Sequence, residues 1–184
     1  LRPDLAARRG WGAMGAMKDN AGTDVKCHAG KLLASMSQGS EPWRIDPFTL
    51  ETLGPDAAWA RRVPDGVASH YKVDHFTGEM MFFNYPEHPP YMNYGIINRD
   101  NQLVHYTPIE LPGARWPHDL GITQNHTVFH DLPLYFEPEG LKRGEHKLVF
   151  NRNMPARFGI LPRHGVNSQI RWFEACLLYT SPSP

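Results

Sequence analysis

Two stretches of this chain, 48 residues apart, have the same layout, in which a histidine leads into alternating apolar residues and then a turn. The histidine of the first stretch, ASHYKVDHFTGEMMFFNY, is His70. That of the second stretch, WPHDLGITQNHTVFHDLPL, is His118, which directly follows a proline. Short alternating runs bounded by turn residues predict half-buried β-strands, and a preceding proline limits the conformational freedom of the chain. We therefore expect two strands that each begin just after a histidine.

Histidines at the starts of successive strands are candidate ligands for one metal ion. Neutral imidazole is among the commonest metal ligands in proteins. From the residues alone, His70 and His118 are candidates for a shared site, and an ordinary structural role for either stays open.

The composition favours many short strands rather than a helical bundle. The 184 residues include 17 prolines and 16 glycines, many of them in pairs that predict turns. Nineteen Lys and Arg residues balance nineteen Asp and Glu residues, and no RNA-binding signature is present, so nucleic acid is not an expected partner. No apolar run approaches the ~20 residues of a membrane span. Cys27 and Cys176 give neither a disulfide framework nor a metal-binding spacing.

Several motifs occur in order between residues 22 and 175, namely SHYKVDHFTGEMMFFNY, PPYMNYGIINRDNQLVHYTPIELPGARWPHDLGIT, MPARFGILPRHG and IRWFEA. Together they resemble the carotenoid cleavage oxygenase family, most closely its lignostilbene dioxygenase branch. The resemblance implies an all-β fold, part of a seven-bladed β-propeller, with Fe(II) (Fe²⁺) on its axis held by four histidines. It matches His70 to the first of these and His118 to the second, and implies no catalytic residue beyond the metal ligands.

The resemblance also implies a reaction. A dioxygenase of this family uses O2 to cleave a C=C double bond of a carotenoid, apocarotenoid or stilbene into two carbonyl products. The expected partners are therefore O2 and an apolar polyene or stilbene, with peripheral membrane contact open for the full protein. No targeting signal is visible, so a cytoplasmic and a plastid location both stay open.

The length predicts an internal fragment of such an enzyme. A blade of about 40–45 residues gives three to four blades here, whereas seven blades need about 300 residues. We expect residues 1–175 to be a partial propeller, with the third and fourth histidines beyond it. The ending CLLYTSPSP (176–184) matches nothing in the family, and we expect a non-native or disordered tail.

Two positions depart from the family pattern. After the GKLLA strand, many members carry a glutamate that orients an iron-bound histidine, and that position is Ser37 here. Lignostilbene-cleaving members have a lysine just before it, and here the residue is Met36. Glu41 is nearby, but its spacing does not fit a simple replacement. Losing such a partner typically lowers metal affinity or activity ~10–100-fold.

Seven other histidines are expected to have no ligand role. His105 is predicted to be packed or at a sheet edge. The rest are expected to be solvated in turns or polar runs: His28, His75, His88, His126, His130 and His146.

Three interpretations are compatible with these sequence features. The first is a fragment of the Fe(II) dioxygenase, which as a truncated product with half an iron site would be inactive. The second is an oxygenase with two histidines and one carboxylate, but neither His70 nor His118 has the His-x-Asp or His-x-Glu spacing this site uses. The third is a non-enzymatic propeller that binds a partner, although no repeated blade signature is found. The first is preferred.

Overall fold

The computed structural model describes residues 21–56 and 62–175. The first twenty residues and the tail at 176–184 lie outside the described residues, so the expectations about them stay predictions. The described part contains three four-stranded antiparallel sheets and one inserted hairpin. The expectation of an all-β chain is confirmed, and three sheets agree with the expected three to four blades.

Each sheet is assembled mainly from consecutive strands. Sheet 1 contains β1 Asp24–His28, β2 Lys31–Ser35, β3 Trp43–Ile45 and β4 Thr52–Pro55. Sheet 2 contains β5 Lys72–Val73, β6 Met80–Asn84, β7 Asn93–Ile97 and β8 Leu103–Pro108. Connections of two to eight residues join the strands of each of these sheets in sequence order, as the clustered glycine, proline and asparagine residues predict.

Sheet 3 has an insertion between its second and third strands. Its strands are β9 Leu120–Ile122, β10 His126–Asp131, β13 Ala156–Pro162 and β14 Arg171–Ala175. The insertion is a hairpin of β11 Leu134–Phe136 and β12 Leu148–Phe150, joined through helix α1 Pro138–Lys142. A single 3-10 turn, Asn167–Gln169, precedes β14. No helix within the described ranges is long and apolar enough to cross a membrane.

Sheet 2 forms the centre of the molecule because both of its faces are covered. All residues of β6 and β7 are buried. Along β6, Met81 and Phe83 pack in one apolar cluster with residues of sheet 3, while Met80 and Phe82 pack in a second cluster with Leu33 of sheet 1. This is the two-residue period of a strand with an apolar layer on each face.

A glycine allows one of these large side chains to fit. A Cβ at Gly95 of β7 would lie only 2.4 Å from the ring of Phe82, which is its neighbour across the strand pair. The absence of a side chain therefore lets the Phe82 ring lie over β7. Any substitution at Gly95 would displace a ring in the cluster shared with sheet 1.

The first strands of the three sheets are neighbours. Strands β5 and β9 contact each other, and Lys26 of β1 places its ammonium group 5.1 Å from the centre of the Tyr71 ring, next to β5. The Lys26 Nζ also donates to the carbonyl of Ser69 at 3.3 Å. The segments that enter β5 and β9 are therefore close to each other, and both His70 and His118 lie two residues before a first strand.

Candidate metal centre

His70 is fixed by the burial of its neighbours in the chain. Ser69 and Tyr71 are both fully buried, and the Tyr71 hydroxyl donates to the carbonyl of Leu33 at 3.2 Å. Burial raises the pKa of the Tyr71 phenol, which therefore stays protonated as a donor. The His70 side chain between them keeps about a quarter of its surface exposed (24%). The two flanking residues are therefore held in the core, while the imidazole between them stays partly accessible.

A carboxylate contacts one nitrogen of His70. The Oδ2 atom of Asp24, at the start of β1, lies 3.4 Å from His70 Nδ1. The same carboxylate pairs with Lys26, and its pKa is lowered although burial acts in the opposite direction, because Lys26 and the backbone N–H of Val25 stabilise the anion. Asp24 thus faces Nδ1 and leaves Nε2 as the nitrogen that is available to bind a metal ion.

His118 is placed by a tight turn instead of by packing. Its φ angle is +62°, and the backbone N–H of Asp119 donates to the carbonyl of Pro117 at 2.7 Å. This is a three-residue γ-turn with His118 at its centre, a conformation that is rare for residues other than glycine. A residue held in such a region costs about 1–3 kcal/mol, and such residues cluster at functional sites.

Polar contacts hold the residue after His118. The Asp119 Oδ1 atom accepts a hydrogen bond from Lys72 Nζ of sheet 2 at 2.6 Å and from the Leu120 N–H at 2.7 Å. The Asp119 N–H also donates to Nε2 of His130 on β10 at 3.1 Å. The turn is thereby tied to the neighbouring sheet and to the next strand of its own sheet.

The rings of His70 and His118 lie together, with centroids 4.8 Å apart and planes inclined by 58°. Burial, followed by the neighbouring His70, lowers the pKa of His118. Both effects favour the neutral imidazole, the form that binds metal. The separation is short enough for one ion at ~2 Å from a nitrogen of each ring.

The donor set therefore fits half of a four-histidine iron site. Among residues 21–56 and 62–175 no group of three or more His, Cys, Asp or Glu side chains is arranged to hold a metal ion. Two neutral nitrogen donors without a carboxylate suit the ligand set that the resemblance implies. Within the described ranges no carboxylate joins the two histidines in a group that could hold a metal ion, as the alternative site of two histidines and one carboxylate needs.

Two expectations about other histidines are wrong. His28 is buried, with only 3% of its surface exposed, and its Nε2–H donates to the carbonyl of Gly78 at 3.1 Å. The turn after β1 packs against the hairpin of sheet 2, which removes this ring from water. His130 is partly buried in mid-strand rather than solvated in a polar run.

The remaining histidines agree better with the sequence. His105 is packed on β8, the last strand of sheet 2, where its Nε2–H donates to the carbonyl of Gly165 at 2.9 Å. His146 is an exposed residue whose ring lies 2.6 Å from a carboxylate oxygen of Glu87. The others are exposed as expected: His75, His88 and His126.

The two positions that depart from the family pattern lie close to the segment before His70. Met36 forms a parallel bridge with Ala68, two residues before His70. The carbonyl of Ser37 accepts a hydrogen bond from the Tyr85 hydroxyl at 2.8 Å. Neither side chain brings a carboxylate or an ammonium group to this segment, as the sequence indicates.

A family model described as "Retinal pigment epithelial membrane protein" matches residues 5–180. The chain belongs to this family. Its relatives include the carotenoid 9,10(9',10')-cleavage dioxygenase of Crocus sativus, which is 41% identical over 80% of this chain and 28% of its own length. Isoeugenol monooxygenase of Pseudomonas nitroreducens is 33% identical over 86% of this chain and 34% of its own length. The resemblance inferred from the motifs is confirmed.

Among solved structures, lignostilbene dioxygenase of Pseudomonas brassicacearum superposes with a TM-score of 0.76 and 31% identity, over 85% of this chain and 33% of that one. An apocarotenoid oxygenase variant of Synechocystis superposes with a TM-score of 0.69 at 20% identity, which shows the shared fold alone. The chain thus spans about a third of the length of the relatives it matches.

Proposed function

We propose that this chain is the part of a non-haem Fe(II) oxygenase that supplies two of the four histidine ligands, His70 and His118. The observation that supports the proposal most strongly is the meeting of these two rings, 4.8 Å apart, at the entries to neighbouring sheets. Two separate sequence motifs place the residues 48 positions apart, and the fold brings them together. The names of the relatives supply the reaction class.

The iron, when bound, supplies the activation of O2 for oxidative cleavage of a C=C double bond into two carbonyl groups. The protein side chains contribute position. Asp24 at Nδ1 of His70 favours metal binding through Nε2, and the turn at 117–119 directs the imidazole of His118 toward the same point. Four neutral ligands add no negative charge, so the metal keeps its full charge toward bound groups.

An apolar substrate agrees with the surroundings. Trp116, two residues before His118, packs edge-on against Tyr85 and Phe136, with ring centroids 5.6 Å and 5.5 Å away. These rings form a rigid apolar cluster at the segment that leads to His118. Met36 provides no cation for a phenolate, so a carotenoid or apocarotenoid is preferred over a phenolic stilbene as the substrate.

The activity belongs to the longer protein of which this chain would form three blades. We expect the 184-residue chain alone to bind Fe(II) weakly and to cleave nothing, because it holds half of the ligand set. Anaerobic Fe(II) titration of this chain and of the complete protein tests the point, followed by product analysis with β-apocarotenals and hydroxylated stilbenes in the presence of O2. Tight stoichiometric iron and turnover by the 184-residue chain would contradict the partial-site proposal. Absence of both from the complete protein would favour the non-enzymatic binding function.

A further inference from the structure

His130 contacts the backbone of Asp119, a contact that the sequence did not predict. In sheet 3, Leu120 of β9 is paired with Phe129 of β10. The residue before Leu120 is therefore next to the residue after Phe129, which sets Asp119 beside His130. The Asp119 N–H points at His130 Nε2 across 3.1 Å. An N–H can donate only to a ring nitrogen with a lone pair, so Nε2 of His130 acts as the acceptor.

The N–H that reaches His130 is the one that closes the strained turn. It is shared between the carbonyl of Pro117 at 2.7 Å and the His130 ring. A γ-turn with a positive φ at a non-glycine residue persists only when its surroundings hold it. His118, at the centre of this turn, is exposed, and of its two chain neighbours only Pro117 is buried.

Besides the bond to Pro117, three hydrogen bonds to Asp119 hold the turn. Lys72 binds the Asp119 carboxylate from sheet 2, and the Leu120 N–H binds it from the start of β9. Both of these contacts fix the side chain of Asp119. The contact from His130 is different because it reaches the backbone of the turn itself.

We propose that His130 is a positioning residue that holds the turn at 117–119 and so directs the His118 imidazole toward the metal shared with His70. The inference rests on the proposed function, since it assumes that His118 is a ligand. His130 itself does not bind the metal, because its Nε2 accepts from the backbone and its Nδ1 then carries the proton of the neutral ring. It acts through the orientation of the neighbouring ring, as residues behind metal ligands commonly do.

The test uses Ni²⁺ as a redox-stable probe that imidazole binds more tightly than Fe²⁺. Its dissociation constant is measured by calorimetry on the 184-residue chain, with thermal unfolding recorded in parallel. His130→Leu replaces the ring with an apolar side chain of similar size and removes the acceptor. We expect it to weaken Ni²⁺ binding about tenfold. His130→Gln returns an acceptor oxygen at similar reach, and it should restore the affinity. His126→Ala, at the exposed start of the same strand, is the matched control and should leave the affinity unchanged.

The outcomes separate this inference from the proposed function. If His118→Ala binds Ni²⁺ as tightly as the parent chain, both the ligand assignment and the role of His130 are wrong. If His118→Ala loses affinity while His130→Leu keeps it, only the positioning role is wrong. If His130→Gln is as weak as His130→Leu at equal thermal stability, the acceptor is not what matters, and the inference is again wrong.

Discussion

The entries to sheets 2 and 3 place a histidine at the same point of the blade by different means. His70 is flanked by two fully buried residues, Ser69 and Tyr71, and does not have a positive φ. His118 is exposed, has a φ of +62°, and depends on hydrogen bonds to the following residue. Packing therefore orients the first ring, and a polar network orients the second.

This difference predicts which property a substitution near His70 or near His118 will change. Orientation by packing is lost when volume is removed from the core, and the whole sheet is destabilised with it. Orientation by a few hydrogen bonds can be lost while the fold stays intact. Substitutions near His70 are thus expected to act on stability, and those near His118 on metal affinity.

The largest effect is expected from Tyr71→Ala. Removing this fully buried ring should destabilise the chain by about 3–5 kcal/mol, the range of large aromatic truncations. Tyr71→Phe removes only the hydroxyl bonded to Leu33 and should cost about 0.5–1.5 kcal/mol. Chemical denaturation measures both. Equal losses from the two variants would show that packing does not fix the entry to sheet 2.

In sheet 3, a buried carboxylate at the end of β10 forms ion pairs with two arginines. Asp131 is 1% exposed and pairs with Arg157, and Arg115 Nε lies 3.1 Å from its Oδ1 in an ion pair that is not aligned as a hydrogen bond. Asp131→Ala should destabilise the chain by about 2–4 kcal/mol, at or below the usual cost of orphaning a buried partner because both arginines are partly exposed. Glu139→Gln, in an exposed helical pair with Lys142, should leave the unfolding midpoint unchanged. Similar midpoints for the two variants would refute the role of Asp131.

A smaller effect is expected from Lys72→Met, which removes the ammonium group that reaches from sheet 2 to Asp119. Stability should change by less than about 1 kcal/mol because the pair is partly exposed. Ni²⁺ affinity should fall, and the difference from the parent chain should narrow at high salt, where such pairs are screened. A large loss of stability with unchanged Ni²⁺ affinity would show that Lys72 stabilises the fold and does not orient His118.

The smallest effect concerns pH and the buried His28. Burial lowers the pKa of His28 in the folded chain below its unfolded value of about 6.5. Its contribution to stability is therefore fully present above about pH 6.5 and declines as the pH falls toward the folded value. His28→Gln should reduce this decline, as measured by urea unfolding at pH 7.5 and pH 5.5. An unchanged pH dependence would show that other groups cause it.

The sequence predicted what depends on periodicity and turn residues. The strands after His70 and His118 and the turn between β9 and β10 are all where the patterns indicated. The family motifs predicted that the two histidines belong to one site. These features depend on the order of residues along short segments, which a single chain displays directly.

What the sequence did not predict depends on pairing between segments. The role of His130 requires the register of β9 against β10, since a shift by one residue would put its ring on the other face. The burial of His28 requires the contact between the turn after β1 and Gly78, 50 residues away. The sequence gives no signal of the positive φ at His118, because contacts from two sheets maintain this strained conformation.

The amount of iron bound per chain tests most directly whether His70 and His118 are ligands of one metal ion. The complete protein, loaded anaerobically with Fe(II), is expected to hold one iron per chain. His70→Ala and His118→Ala should each lose tight iron binding and turnover, while circular dichroism stays that of the parent protein. His126→Ala should keep both iron and turnover. Stoichiometric iron with near-normal turnover in either ligand variant would remove that histidine from the site and contradict the account.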